Sequence, residues 1–401
     1  MDGRIRALLE RPELARARSF LLEDDARTLT QQRELTEIAA PSFGEAARGA
    51  RFAELMKEAG LEDVEKDAEG NVLGWLRRGA TDVQGAPLVV SAHLDTIFPP
   101  DTDVRVRQEG DRLIGPGISD DGRGLAALLG LARVLRTTRP PLARPLLLVA
   151  TVGEEGEGDL RGVRHLFRQK GPARGAHAFL SIDGAGLSLV VTGGLGSRRF
   201  RVSASGPGGH SWVDWGTPNP IHALGHAIAA FTELPLREEL RTTLSVGRRS
   251  GGTSVNAIPQ EAWVELEVRS ESLLELDRLD AEISSGAEAA ITAVNRSANR
   301  RGRVVLAVDV IGDRPAGRTD ASEEIVRAAL AATRAVGAAP ELAVSSTDAN
   351  IPMSLGIPAV TMGAGGEAGL AHTTDEWYRN DAGPEGVLRA LLTVLAAADS
   401  G

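Results

Sequence analysis

Apolar residues fall along this chain in two rhythms. Unbroken runs at Leu88-Val89-Val90, Leu146-Leu147-Leu148-Val149-Ala150 and Phe179-Leu180-Ser181-Ile182 read as strands covered on both faces. Around them, apolar positions recur at helical spacing. Residues up to about Ala40 carry that period with mixed charge. Ser42-Phe43-Gly44-Glu45 has the form of a capping box. It opens a helix with Phe52, Leu55, Met56 and Ala59 on its inner face and Gly60 at its end. Asp67 to Asn71 marks a hairpin turn ahead of Val72, Leu73 and Trp75. An apolar helix starts at Leu125, and others cover about Glu323–Val336 and Pro384–Ala398. Short apolar segments lie at Leu342–Val344 and Ala359–Met362. Strands alternating with helices predict an α/β fold with a mostly parallel sheet flanked by helices.

The rhythm changes after Gly193-Gly194-Leu195-Gly196. Ser197–Ser205 alternates as a half-exposed strand, and Pro220–Phe231 reads as a helix. Thr242–Val246 and Ala262–Arg269 read as strands, Leu273–Val294 as a long amphipathic helix, and Val304–Ile311 as a last strand. The order β-α-β-β-α-β predicts a ferredoxin-like α+β domain. The α/β pattern resumes after about Gly312. Residues 197–312 are therefore expected to be an insert, and 1–196 with 313–401 a discontinuous domain. A length of 401 residues accords with two domains.

Composition narrows the chemistry. Apolar content of 42% and charged content of 25% are ordinary for a globular chain. The net charge of −10 argues against a nucleic-acid partner. Cysteine is absent, so disulfides and thiolate ligands are excluded and any metal must be held by His, Asp and Glu. The first residues alternate charged and apolar positions, unlike a secretory signal, and no stretch is long and apolar enough to span a bilayer. A cytoplasmic protein without a membrane partner is the expectation.

Candidate chemistry clusters at strand ends. His93 and Asp95 are two apart after the Leu88–Val90 run, so on an extended chain they share a face. The second run leads to Gly153-Glu154-Glu155-Gly156 and the third to Asp183. In parallel sheets function gathers at the carboxyl ends of strands. Asp120 and Asp121 sit in a glycine-rich loop ahead of a helix, where a carboxylate is favoured by the free N–H groups. Two aspartates facing a strand end also suit a bridging metal ligand. His165, His177, His222 and His226 have no motif around them, and the glycine-rich loop near Gly363 lacks the Lys-Ser/Thr of a phosphate loop.

Taken in order, the motifs name a family. His93-Leu94-Asp95, Gly117-Ile118-Ser119-Asp120-Asp121-Gly122, Gly153-Glu154-Glu155-Gly156, Asp183, Gly209-His210-Ser211, Asn256-Ala257-Ile258-Pro259 and His372 together resemble the M20 family of dinuclear zinc aminoacyl hydrolases. The His210 region and Ser346–Pro352 look closest to its peptidase T-like branch. The resemblance implies two Zn²⁺ per chain, with Co²⁺ or Mn²⁺ as alternatives. His93 and Asp183 would hold one ion, Glu155 and His372 the other, and Asp120 would bridge them across a cis bond to Asp121. Asp95 would support His93, and Glu154 would be the general base. The insert would be a lid and dimerisation domain. From there His210 would reach the site of the partner in a homodimer and polarise the substrate carbonyl. Asn256, Arg269 and Arg314 would face the substrate. Two divalent ions against three carboxylates leave a charge of about +1, which suits an anionic transition state.

The implied activity is hydrolysis of a peptide or amide bond in a small peptide or N-acyl-amino acid. Two other readings stand beside it. One is an N-acyl- or N-carbamoyl-amino-acid amidohydrolase of the same family, and the other is a catalytically silent binding homologue. Fold and motif leave the substrate, the native metal and the choice between amino- and carboxypeptidase open.

Overall fold

The computed structural model describes residues 1–77, 85–300 and 302–398. They divide into two compact units, Met1–Gly194 with Arg318–Gly401, and Leu195–Gly317.

The first unit is built on a twisted, mostly parallel sheet. At its centre the strands Leu146–Thr151, Leu88–His93, Ala178–Ile182 and Ala359–Met362 lie side by side and parallel. Val72–Leu76 and Glu62–Lys66 extend one edge antiparallel, and Leu189–Gly194 with Glu341–Ser345 extends the other. Side chains alternate across the sheet, as period two requires. Val90, Leu148, Leu180 and Val360 join one core beneath the helices Pro12–Thr36, Gly122–Thr138, Glu324–Ala335 and Gly383–Ala398. Val89, Leu147, Val149 and Phe179 join the other, against Val163, Leu166 and Phe167 of the helix Arg161–Phe167. Both faces are closed, which is why these strands are apolar without a break. Burying one such side chain stabilises the fold by ~1.5–3 kcal/mol.

The Asp67–Asn71 turn is a hairpin in which Asp67 Oδ1 accepts the backbone N–H of Glu69, Gly70 and Asn71. The Ser42 capping box does not form. The helix Ala46–Glu58 starts from Glu45 without a side-chain cap. Gly44 N–H closes a turn onto Pro41 O, and this turn carries Ser42 away from the helix end. Glu45 instead pairs with Arg161 at 2.6 Å. A small antiparallel sheet absent from the sequence reading joins Arg107–Glu109, Arg112–Ile114, Trp377–Arg379 and Glu367–Gly369.

In the second unit the elements run β-α-β-β-α-β. The antiparallel sheet has the order Thr243–Gly251, Glu261–Ser270, Gly196–Ser205, Val305–Arg314. Its buried face, with Phe200, Val202, Val264 and Leu266, packs with Ala227 and Phe231 of the helix Pro220–Thr232 and with Leu279 and Ile283 of the helix Leu273–Ser297. Among the described residues no helix is long and apolar enough to cross a membrane.

Candidate metal centre

Register assembles the site. His93 is the last residue of its strand and pairs with Thr151, so the Glu154–Glu155 corner begins three residues beyond that level. Ser91 pairs with Ser181 on the other side, which brings Asp183 to the height of His93. Parallel strands put all these ends on one edge of the sheet.

Asp95 fixes the corner between two strands. Its Oδ1 accepts the backbone N–H of Glu154 and its Oδ2 that of Glu155, both at 2.9 Å. The Ser42 hydroxyl lies 2.7 Å from the same Oδ2 and 3.0 Å from the Glu155 carbonyl. A carboxylate with this many donors needs no further proton, and it stays ionised. Asp95 therefore meets His93 differently from the side-by-side placement expected of an extended chain. The strand ends at His93, so ring Nδ1 faces the Asp95 backbone carbonyl at 3.0 Å, with the carboxylate 3.7 Å away.

Asp120 joins the two imidazoles. Its Oδ1 lies 3.0 Å from His93 Nε2 and its Oδ2 3.1 Å from His372 Nε2. His372 Nε2 is also 3.0 Å from Glu155 Oε1. The Asp120–Asp121 peptide is cis. Asp121 takes the structural part open to it. It caps the helix Gly122–Thr138 through Gly124 N–H and accepts the N–H groups of His93 and Gly184. Among the described residues three groups place ligand atoms within 4.8 Å of one another: His93, Glu154 and Glu155; His93, Asp121 and Asp183; and Asp120, Glu155 and His372. A cavity of about 590 Å³ opens beside Asp120 and Asp183, walled by Gly184–Gly186 and Gly366–Ala371.

The electrostatics show what this cluster lacks. Burial works against a charged His93, but the hydrogen bond to Asp120 and the nearby Asp95 carboxylate outweigh it and hold the ring well above its ordinary value. Hydrogen bonds to Asp120 and Glu155 push His372 up to about 10. Burial, then the negative charge of Asp120, raises Asp183 well above its ordinary value. Burial likewise pushes Asp121 up to about 8. Asp120 goes the other way, because the bonds from His372 and His93 overcome its burial. Protons thus supply the positive charge that crowded carboxylates need. Hard oxygen and imidazole donors at this spacing suit divalent cations in their place, and the residues present fit such ions.

His210, Asn256, Arg269 and Arg314 belong to the second unit. His210 is exposed and pairs with Ala257 in a two-residue ladder. Its N–H donates to Asp214 at 2.7 Å, while ring Nδ1 accepts from Trp212 N–H at 3.2 Å. An accepting Nδ1 leaves the proton of the neutral ring on Nε2. Asn256 is exposed, and its carbonyl accepts Ser211 N–H. Arg269 is held by both oxygens of Glu267, which also takes Arg199. Arg314 is buried at the end of its strand.

Two supporting residues escaped the sequence reading. Ser42 looked like a helix cap. Glu376, fully buried, accepts hydrogen bonds from the Asp120 loop. Its only mark in the sequence is an acid four residues after His372.

The family model described as peptidase family M20/M25/M40 matches residues 89–397. The uncharacterized protein YqjE of Bacillus subtilis is 26% identical over 369 residues, covering 88% of this chain and 93% of that protein. Among solved structures, aminopeptidase PepT of Bacillus cereus superposes with a TM-score of 0.73 at 21% identity, over 93% of this chain and 99% of that one. The YXEP protein of Bacillus subtilis, described as a dinuclear metal binding peptidase from the M20 family, gives 0.66 at 17% identity over 94% and 98%. These structural likenesses show the fold. The match of the family model over most of the chain shows more: this protein belongs to peptidase family M20/M25/M40 and is a hydrolase.

Proposed function

We propose that this protein is a dinuclear zinc hydrolase that cleaves a peptide or amide bond of a small peptide or N-acyl-amino acid, nearest to the peptidase T-like branch of its family. One observation carries the proposal: a single carboxylate, Asp120, reaches both His93 and His372, with Glu155 on the far imidazole. In this reading His93 and Asp183 would hold one ion, Glu155 and His372 the other, and Asp120 would serve both. When bound, two such ions supply Lewis-acid charge to a carbonyl and acidify water. Glu154, buried beside His93 and Glu155, takes a proton from the attacking water and returns it to the leaving nitrogen. Asp95 holds the two adjacent glutamate amides, so Glu154 and Glu155 keep separate roles. The Leu195–Gly317 unit serves as a ferredoxin-like lid and forms a homodimer. His210, with its proton on Nε2, serves the partner's site as donor to the substrate carbonyl oxygen. Asn256 and Arg314 face the substrate, and Arg269 does so by exchanging Glu267 for a substrate carboxylate.

The test is a panel of dipeptides, tripeptides, N-acyl- and N-carbamoyl-amino acids assayed with zinc-loaded protein. Cleavage of tripeptides from the amino end would support the peptidase T-like reading. Preference for acyl or carbamoyl substrates would move the protein to the amidohydrolases. No turnover of any member by protein carrying two ions would favour a silent binding homologue.

A further inference from the structure

We propose that Glu376 is the positioning residue that sets the Asp120 carboxylate between His93 and His372. The proposal rests on the metal-centre reading above and assigns a part to a buried acid outside the ligand set. Glu376 has no exposed surface. Its Oε1 accepts the N–H of Ser119 at 2.8 Å, the Ser119 hydroxyl at 2.7 Å and the N–H of Asp120 at 2.9 Å. Its Oε2 accepts the N–H of Gly117 at 3.2 Å. Four donors from one loop thus converge on one carboxylate, and one of them is the amide of the bridging residue itself.

The fold explains the convergence. Gly369 pairs with Trp377, so residues 370–376 form the closed end of a hairpin that carries His372. Trp377 pairs in turn with Ile114, and the register continues one step as Gly115 N–H donates to Glu376 O. The hairpin of one imidazole is thereby clamped to the loop of the bridging carboxylate at a single residue. The loop needs the clamp. Gly117 adopts a φ of 74°, and a Cβ there would fall 2.6 Å from Thr96 Cγ2, so the turn has no side chain of its own to hold it. An ionised acceptor makes stronger bonds to N–H and O–H than a neutral one, and several on one group over-determine a geometry.

The test compares wild type with Glu376→Ala, Glu376→Gln and Ser119→Ala. Two readouts are independent of turnover. The first is amide exchange of Ser119 and Asp120 in metal-free protein. The second is zinc affinity, measured by competition with a chelating dye. Glu376→Ala should speed exchange at both amides by about tenfold or more and weaken zinc binding at both sites, which share Asp120, by a similar factor. Glu376→Gln keeps one acceptor oxygen and should recover most of the loss. Ser119→Ala should shift both readouts the same way by less, and it carries the test if Glu376→Ala does not fold. Wild-type exchange and affinity in Glu376→Ala would overturn the positioning role alone. Failure of the wild type to take up zinc would overturn the metal centre and this proposal with it, whatever the exchange rates.

Discussion

Metal uptake should expel protons, and their number follows from the site. At pH 7 the metal-free protein holds His93 as imidazolium, and His372, pushed up to about 10, as well. Both must be neutral to ligate, so two protons leave. Asp183, raised well above its ordinary value, adds a third where it is still protonated. About two to three protons per chain should therefore appear as two ions bind. His372 sets the direction of the pH dependence. Its folded value lies above the ordinary 6.5, so its protonation stabilises the metal-free fold below that pH and is lost as pH rises toward about 10. Rising pH thus weakens the metal-free protein and frees the ligands. Apparent zinc affinity should climb by about tenfold per pH unit at each site near neutrality, about a hundredfold for the product of the two. Calorimetric titration of Zn²⁺ in buffers of different ionisation enthalpy counts the protons directly. Uptake without proton release, or an affinity flat between about pH 6 and 8, would contradict ligation by imidazoles that are protonated in the metal-free protein.

Glu154→Gln should keep both ions and lose turnover by ~10²–10⁴-fold; a wild-type rate would remove Glu154 from the role of base. His210→Ala should lower kcat with metal content intact, and loss of zinc would make His210 a ligand instead. Small-angle scattering should report a dimer whose shape changes with bound inhibitor, whereas a strict monomer would leave His210 without its partner site. Leu128, fully buried in the helix Gly122–Thr138, should cost ~2–5 kcal/mol when cut to alanine, read from the denaturant midpoint, with zinc stoichiometry unchanged. A cost below ~0.5 kcal/mol would contradict its packing.

The central strands were legible because both faces of the sheet are covered, which leaves Leu88–Val90 and Leu146–Ala150 apolar without interruption. Their parallel order also made His93, Glu154, Glu155 and Asp183 legible as neighbours, since strand ends share an edge. Asp120 and His372 lie on loops, and no periodicity announces where a loop closes. The small sheet of Arg107–Glu109, Arg112–Ile114, Trp377–Arg379 and Glu367–Gly369 was missed for a related reason. Its strands are only three residues long, and its two hairpins are joined across a long separation in the chain. Ser42 misled because the local pattern fits a capping box, while tertiary contact with Asp95 offers its hydroxyl a charged acceptor. Asp121 shows the opposite case: the plain expectation of a carboxylate at a helix start holds beside an adjacent aspartate that does something else. Arg269 is engaged by Glu267 on its own strand, so a substrate carboxylate would have to compete with that bond.

The most direct measurement is metal content and amide hydrolysis on the same sample, stripped with chelator and titrated with Zn²⁺, Co²⁺ or Mn²⁺. Two ions per chain, with cleavage of a small peptide or N-acyl-amino acid returning as the second site fills, is the predicted result. Folded protein that binds no metal, or that cleaves as well without it, would contradict the dinuclear site.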